Sequence, residues 1–447
     1  MSTDPRQIIA NSPMSRLQVV IVGITIALNA LDGFDVMSIS FASPGIATEW
    51  GIDRAALGLV LSMELIGMAL GSIALGGVAD RLGRRPTILG CLALMTVGMI
   101  MATTVTNLVQ LSVWRVITGL GIGGMLAAIN AVAAEFSSAK RRHLSVSLMS
   151  IGYPVGAVLG GLVAQQLLKV YDWRAVFYFG AAVTAALIPV VLVMVPESVD
   201  WLTRKQPAGA LDRINASLMR MGHSAVKALP TLSAEVRKGS IADIFAPALV
   251  ATTAIVTAAY FFHITTFYFI VKWVPKIVAD FGFAPASAAG VLVWVNVGGA
   301  TGGAIFGLLT QRYSVKMLTI GVLVLSTVAV TVFGRTPPDL QQLSMVCLIA
   351  GFFTNAGIVG LYALVAQAFP THARAFGTGF TIGVGRGGAA LAPVIAGYLF
   401  SFGYPLSTVA ITMSIGSLVG AAVLTMLKID SDRTTVSVSV PQPGQAR

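Results

Sequence analysis

Five acidic or basic side chains of this 447-residue chain, counting Asp, Glu, Lys and Arg, lie inside long apolar runs, where an unpaired charge is unfavourable. The acidic ones are Asp32, Asp35 and Glu64, and the basic ones are Arg115 and Arg386. Because a charge at the centre of a bilayer costs at least about 2.5 kcal/mol on insertion scales, each is a candidate for function. Carboxyl groups in such a medium can take up protons, and a guanidinium can bind a carboxylate through two hydrogen bonds.

The three carboxyl groups are predicted to share one cavity with Arg115. Asp32 and Asp35 are spaced i, i+3 and face the same side of a helix, in the half of their span that is far from the N-terminus. Arg115 lies at a depth similar to that of Asp35, so an ion pair between them is expected. Glu64 reaches a comparable level, and crowded carboxylates favour proton uptake. The alternative for each residue is a structural ion pair or a polar contact between helices.

Arg386 is the candidate for anion binding. It lies twelve residues into its apolar run, about 18 Å deep at 1.5 Å per residue and so close to the midplane. Its flanking glycines, Gly385 and Gly387, leave room for bidentate capture of a carboxylate. Tyr153 is its counterpart in the first half of the chain, so a cation and a phenol would line one cavity. The alternative is pairing of Arg386 with a carboxylate of the other half.

Four further residues are weaker candidates for substrate contact. His263 could transfer protons, since imidazole titrates near physiological pH, or it could be a hydrogen-bonded packing residue. Tyr260 could stack on a planar ring. Asn296 and Tyr362 could line the cavity or join helices.

The elements that would position these residues are membrane-spanning helices. Hydrophobic residues make up 56% of the chain and charged residues 11%, against about 25% charged residues in soluble domains. The apolar runs recur at about 20 residues, the length of a bilayer-spanning helix, so the predicted fold class is all-α. The twelve predicted spans are 17–42, 55–79, 86–104, 108–131, 143–168, 174–195, 246–271, 286–310, 316–334, 342–366, 374–400 and 405–427.

A long polar stretch divides these spans into two sets of six. The predicted parts are an N-terminal tail (1–16), a six-helix bundle (17–195), a central loop (196–245) with a short helix around residues 211–221, a second six-helix bundle (246–427) and a C-terminal tail (428–447). Similar motifs recur at offsets of 231 and 233 residues, at 76–81 and 307–312 and at 135–136 and 368–369. These offsets indicate two pseudo-symmetric halves with a site between them.

The distribution of basic residues predicts the orientation and explains the net charge of +11. Twenty-one of the 29 Lys and Arg residues lie on the side of the tails and the central loop, and six, including Lys272, are assigned to the other side. By the positive-inside rule both termini are cytoplasmic, and no nucleic-acid partner is needed. We expect a multi-pass protein of the inner (plasma) membrane. No removable signal peptide is predicted, because Arg16 abuts the first span.

Residues 76–86, with the pattern Gly-x-x-x-Asp-Arg-x-Gly-Arg-Arg, form the most specific local motif. Its glycines are expected to let the chain turn sharply between the second and third spans, and its charges to meet carboxylates or helix ends. Glu135 is expected near the basic residues 140–142 and the arginines of the motif, in a gate that closes the cytoplasmic side. The alternative is an exposed salt bridge of little energetic value. The predicted gating residues are Asp80, Arg81, Arg84, Arg85 and Glu135.

This motif resembles the signature of the major facilitator superfamily, and residues 115–124 are similar to the superfamily's second motif. Residues 31–35 (LDGFD) and 383–387 (GVGRG) resemble the aromatic acid:proton symporters. The resemblance covers essentially the whole chain. Two features depart from the pattern of this family. Residues 127–130 (AAIN) stand where a Pro-Asn pair is expected, and the second span carries an acidic residue, Glu64, that the family pattern does not include. These departures leave the exact substrate open.

The resemblance implies a proton-coupled transporter that imports an aromatic carboxylate such as a hydroxybenzoate, and we expect it to be a monomer. An exporter of drugs or organic acids with the same fold is the alternative, and a non-transporting membrane sensor is the alternative from another class. No enzyme motif, metal motif or phosphate loop is present, and a dinucleotide-like glycine pattern at 119–124 lies inside an apolar helix without a preceding strand. We therefore expect no cofactor and no metal.

Overall fold

The computed structural model describes residues 4–230, 241–370 and 373–427, and in these ranges the chain is helical without strands. The predicted tail 428–447 lies outside the described residues. The fifteen α-helices are α1 (Pro5–Asn11), α2 (Arg16–Trp50), α3 (Arg54–Leu82), α4 (Arg84–Thr104), α5 (Leu108–Glu135), α6 (Arg142–Val170), α7 (Arg174–Met194), α8 (Val199–Lys205), α9 (Ala210–Arg220), α10 (Val250–Asp280), α11 (Pro285–Leu309), α12 (Val315–Phe333), α13 (Leu340–Ala368), α14 (Arg374–Ser401) and α15 (Leu406–Thr425).

Twelve of these helices, α2–α7 and α10–α15, are long and apolar enough to cross a membrane, as predicted. Two extend well beyond the predicted spans: α2 continues to Trp50 and α10 to Asp280. Two of the hydroxyl groups that interrupt the apolar run of α2 are satisfied inside the helix, because Ser38 donates to the Asp35 carbonyl and Ser43 to the Ser40 carbonyl. Polar residues therefore do not end this helix.

The two sets of six helices pack in the same way. In the N-terminal bundle α3 packs on α5, α2 on α6 and α4 on α7. In the C-terminal bundle α11 packs on α13, α10 on α14 and α12 on α15. Each pair in the second bundle is the counterpart of a pair in the first, so the halves are pseudo-symmetric, as the recurring motifs predicted.

The two bundles meet chiefly through α3 with α14 and α6 with α11. We call the face that carries α1, α8 and α9 the terminal face, and the other face the opposite face. At the opposite face Arg54 of α3 pairs with Asp280 of α10 at 2.9 Å. Nearby, Gly58 of α3 lies against the Pro393 carbonyl of α14. The bundles are therefore closed together at the opposite face.

The central segment adds a short helical layer at the terminal face. The helix predicted around 211–221 is present as α9, and α8 packs on α1. Trp201 of α8 donates from Nε1 to the Asp80 carbonyl at the end of α3. The central segment is thus attached to the N-terminal bundle.

Candidate substrate and proton site

Asp32 and Asp35 lie in the middle of α2. Because α2 runs from Arg16 to Trp50, they are near its midpoint rather than in its far half, which corrects the predicted depth. Both residues are almost completely buried, and all four of their carboxyl oxygens lack a hydrogen-bond partner among the described residues. An ionised carboxylate without partners is strongly disfavoured in such a medium. The arrangement suits carboxyl groups that hold protons.

Arg115 of α5 does not pair with the Asp35 carboxylate, so that prediction is wrong. Its Nη2 forms an ion pair with Glu64 of α3 and donates to the main-chain carbonyl of Asp35 at 3.1 Å. The guanidinium also lies over the Phe177 ring, 5.3 Å from its centroid. Glu64 is the partner because α3 and α5 pack directly on each other, which brings these two side chains together in the interior. This ion pair accounts for the acidic residue at position 64, which the family pattern does not include.

Lys272 is a buried cation that the sequence analysis placed at the surface. It is 0% exposed, because α10 continues past it for eight more residues. Its Nζ donates to the Val36 carbonyl of α2 and lies 3.4 Å from Glu64 Oε2. Glu64 is the feature of the sequence that could have indicated it, since a buried carboxylate is stable only when cations are close to it.

Arg386 of α14 lies at mid-depth beside the N-terminal bundle. Its Nη1 donates to the Met68 carbonyl at 2.6 Å and to Ser72 Oγ, both on α3. Its Nε and Nη2 donate to nothing in the described part of the chain. Its charge also acts on the Asp32 carboxyl group. A guanidinium anchored at one nitrogen keeps donors free for an anion.

Tyrosines from three helices surround this region. Tyr260 of α10 and Tyr362 of α13 have hydroxyls 3.1 Å apart and rings stacked at 5.6 Å. The Tyr260 ring also packs against the backbone at Gly385, next to Arg386, where a Cβ would clash with it. Tyr153 of α6 lies beside Tyr268 of α10, which was absent from the predicted site. Tyr260 and Tyr362 therefore lie together beside the part of α14 that carries Arg386. The role of Tyr153, Tyr260 and Tyr362 in substrate contact stays a prediction.

His263 has the hydrogen bonds of a packing residue of the C-terminal bundle, which agrees with the alternative given for it, and its assignment to substrate contact stays a prediction. Its Nε2 is 2.8 Å from the Thr354 carbonyl, and its Nδ1 is 2.8 Å from Ser417 Oγ. A carbonyl only accepts, so Nε2 carries the proton and Nδ1 accepts from the hydroxyl. Asn296 donates to the Leu292 carbonyl of its own helix.

The predicted gating residues form contacts within the N-terminal bundle and α8. Arg84 pairs with Asp80 at 2.7 Å and with Glu135 at 3.2 Å. The second partner of Glu135 is Arg204 of α8 at 3.4 Å, rather than the basic residues 140–142. Their role as a gate remains a prediction. The other two arginines of the motif differ: Arg85 donates to the Leu192 carbonyl, and Arg81 is exposed.

The turn in the same motif depends on Gly83 and not on the two earlier glycines. Gly76 and Gly77 lie inside α3, whereas Gly83 has φ +114° and joins α3 to α4. The Glu197 carboxylate occupies the space that a Cβ on Gly83 would take, and its Oε1 accepts from the Arg84 backbone N–H at 2.9 Å. Glu197, which the sequence analysis did not select, thus caps the start of α4.

A separate apolar cavity of about 390 Å³ lies between the start of α10 and α14. Uncharged side chains line it, including Phe245, Phe261 and Phe380. Without a charged or strongly polar group it does not suit an organic acid. The described residues also contain no group of three or more His, Cys, Asp or Glu placed to hold a metal ion.

Comparison with known families agrees with the fold. The profile of the Major Facilitator Superfamily matches residues 25–273 and 254–445, which together span both bundles. The chain belongs to the Major Facilitator Superfamily. As a member of this superfamily it is a transporter and not an enzyme.

Several relatives within this superfamily align over nearly the full chain. The 4-hydroxybenzoate transporter PcaK of Pseudomonas putida is 29% identical, covering 90% of this chain and 91% of that protein. The gallate transporter of the same organism is 27% identical, with 90% of each covered. The 3-(3-hydroxy-phenyl)propionate transporter of Escherichia coli K12 is 28% identical, covering 88% of this chain and 89% of that protein.

Solved structures at lower sequence identity share the fold. A D-xylose-proton symporter superposes with a TM-score of 0.71 at 17% identity, covering 92% of this chain and 98% of that one. A bacterial homologue of the lysosomal transporter Spinster, inward-facing and occupied, superposes with a TM-score of 0.73 at 14% identity, with 92% and 97% covered. At these identities the likeness concerns the fold alone.

Proposed function

We propose that this transporter carries an aromatic carboxylate, of the hydroxybenzoate kind, into the cell together with protons. The observation that carries the proposal is Arg386, whose mid-depth guanidinium has unused donors and whose neighbour Gly385 packs against the ring of Tyr260. A guanidinium binds a carboxylate, and tyrosine rings accommodate a planar ring while their hydroxyls bond its substituents. Relatives named as transporters of 4-hydroxybenzoate and gallate support the same substrate class.

Proton coupling is supported by the two unpartnered carboxyl groups of Asp32 and Asp35. Import of an anion against an inside-negative potential costs about 2.3 kcal/mol per charge per 100 mV. One proton per carboxylate would cancel that charge, and more than one would make the potential drive uptake. In this mechanism a proton on Asp32 or Asp35 and an anion on Arg386 together permit the bundles to rock about the site.

We also propose that the protein lies in the inner membrane with its terminal face toward the cytoplasm. The basic side chains at that face support this orientation. We propose that one chain is sufficient for transport, because both bundles around Arg386 come from the same chain.

The test is uptake of radiolabelled 4-hydroxybenzoate into proteoliposomes with an imposed pH gradient. A gradient of about one pH unit is worth about 1.4 kcal/mol per proton, or about tenfold accumulation. We expect accumulation that a protonophore abolishes and that benzamides do not compete away. Uptake that is insensitive to both the gradient and the protonophore would exclude the coupling, and absence of binding to any benzoate or cinnamate would exclude the substrate class.

A further inference from the structure

Lys140, Arg141 and Arg142 form an exposed basic cluster at the terminal face, outside the site described above. Among the described residues, the three side chains of the basic cluster form neither an ion pair nor a hydrogen bond. Glu135, which was expected to pair with them, is engaged by two other arginines instead. The charges of the basic cluster are therefore available to a partner from outside the chain.

The short segment that carries the basic cluster is attached to two other parts of the chain. The Phe136 carbonyl accepts a hydrogen bond from Gln18 Nε2 of α2 at 2.9 Å. The Ala139 backbone N–H donates to the Ala10 carbonyl of α1, also at 2.9 Å. Helix α6 begins at Arg142, directly after this segment. The structure therefore holds the cations at a defined position at the start of α6.

An apolar stripe of exposed side chains on α6 begins directly after the basic cluster. We call it the α6 stripe, and its members are Leu144, Leu148, Ile151 and Val155. These side chains are 41–55% exposed. Arg141 continues the stripe, because its backbone is already helical and spacings of three and four residues place side chains on one helix face. The other side of α6 packs on α2, where a Cβ on Gly156 would clash with the Ala30 carbonyl. The α6 stripe therefore faces away from the bundle.

The basic cluster lies at the depth of the lipid headgroups. Exposed apolar residues continue along the same face of α6 as far as Leu162, which lies about 32 Å from Arg141 at 1.5 Å per residue. The hydrocarbon core of a bilayer is about 30 Å thick. When this face of α6 spans the core, the basic cluster is therefore at its boundary. Cations at the end of an apolar stripe complement a molecule that has an anionic head and apolar chains.

We propose that Lys140 and Arg141 bind the phosphate of an anionic phospholipid in the leaflet at the terminal face, with its acyl chains along the α6 stripe. Ammonium and guanidinium groups donate to phosphate oxygens, and the phosphate supplies the negative charge that the basic cluster lacks. A second copy of the chain fits less well, because a two-fold contact within one membrane would bring two basic clusters to the same level. The proposal is independent of the substrate and of proton coupling.

The experiment measures which lipid contacts the α6 stripe in proteoliposomes. Leu148→Cys is labelled with bimane, while the native Cys91 and Cys347 are buried and stay unlabelled. Quenching by brominated phosphatidylglycerol, compared with quenching by brominated phosphatidylcholine, gives the relative binding of the two lipids at this position. A basic residue near an anionic bilayer surface contributes about fivefold to binding. We therefore expect Lys140→Gln/Arg141→Gln to reduce the preference for phosphatidylglycerol about 25-fold.

Two further variants serve as matched controls. Lys205→Gln/Arg213→Gln removes the same charge from exposed positions on α8 and α9 at the same face, and is expected to keep the preference. Lys140→Arg/Arg141→Lys exchanges the two cations without loss of charge and is expected to keep it as well. If the double glutamine variant does not fold, Arg141→Gln alone is expected to reduce the preference about fivefold.

Three results would overturn the proposal. An unchanged preference in Lys140→Gln/Arg141→Gln would mean that these two cations do not hold the lipid. An equal loss in Lys205→Gln/Arg213→Gln would mean that the total charge of the terminal face attracts phosphatidylglycerol without a defined site. A label that neither brominated lipid quenches would mean that a protein surface, such as a second copy of the chain, covers the α6 stripe.

Discussion

Arg386 of α14 donates a 2.6 Å hydrogen bond to the Met68 carbonyl of α3, across the interface between the two bundles. One nitrogen of this guanidinium binds the other bundle, and its remaining donors are free to bind substrate. Substrate binding and the contact between the bundles can therefore affect each other through this side chain. Occupation of its free donors and opening of the interface therefore involve the same side chain. Asp32, on which its charge acts, belongs to the first bundle as well.

Arg386→Ala is expected to weaken acid binding selectively. Hydrogen bonds to charged groups contribute about 1.5–3 kcal/mol, so loss of the guanidinium should raise the Kd for 4-hydroxybenzoate about 10- to 150-fold. The corresponding amide lacks the charge and should lose much less. Isothermal titration of both ligands measures the difference, with Arg312→Ala at an exposed position as the control. An equal loss for acid and amide would mean that Arg386 acts through the structure.

Asp32→Asn is expected to abolish accumulation while the protein folds normally. The amide has nearly the shape of the carboxyl group and cannot bind or release a proton, and the buried oxygens it replaces have no hydrogen-bond partner among the described residues. Accumulation at one pH unit should fall from about tenfold to about onefold. Asp212→Asn, an exposed change on α9, is the control. Undiminished accumulation would take Asp32 out of the proton path.

The membrane-spanning helices could be predicted from the sequence, because the bilayer requires each of them to be about 20 residues long and predominantly apolar. It was also sufficient to select Glu64, Arg115 and Arg386, since charges inside apolar runs are conspicuous. Hydropathy gives the depth of a residue and not its direction around the helix axis. The Arg115–Glu64 pair depends on how α3 and α5 face each other, which is why Asp35 was chosen as the partner instead.

Lys272 was missed for a related reason. Hydropathy ends the seventh span at the first charge near its boundary, so a lysine there is assigned to water. The helix continues because the cation is satisfied by oxygens from two other helices, which no local pattern in α10 reveals. Tertiary contacts also determine the surroundings of His263, whose two ring nitrogens hydrogen-bond with the Thr354 carbonyl and the Ser417 hydroxyl.

His263→Gln is expected to leave the pH dependence of transport unchanged. Both ring nitrogens are engaged by neutral groups, and Gln offers one donor and one acceptor to the same partners. His263→Leu should instead destabilise the fold by about 1–3 kcal/mol, because the Thr354 carbonyl and Ser417 hydroxyl lose a partner. Uptake measured from pH 5 to pH 8 tests the first expectation, and thermal unfolding tests the second. A shifted pH profile in the Gln variant would return His263 to the proton path.

Gly83→Ala is expected to destabilise the terminal face, whereas Gly76→Ala in the same motif is not. A side chain at φ +114° is strained by about 1–3 kcal/mol, and its Cβ would also displace the Glu197 carboxylate from the start of α4. Gly76 lies inside α3 with nothing within 4 Å of a Cβ, so alanine there should raise helix stability by up to about 1 kcal/mol. The free thiols of Cys91 and Cys347 are buried, so their reaction with a fluorogenic maleimide during heating reports unfolding. Equal unfolding temperatures for the two variants would mean that a side chain at position 83 does not disturb the cap that Glu197 forms at the start of α4.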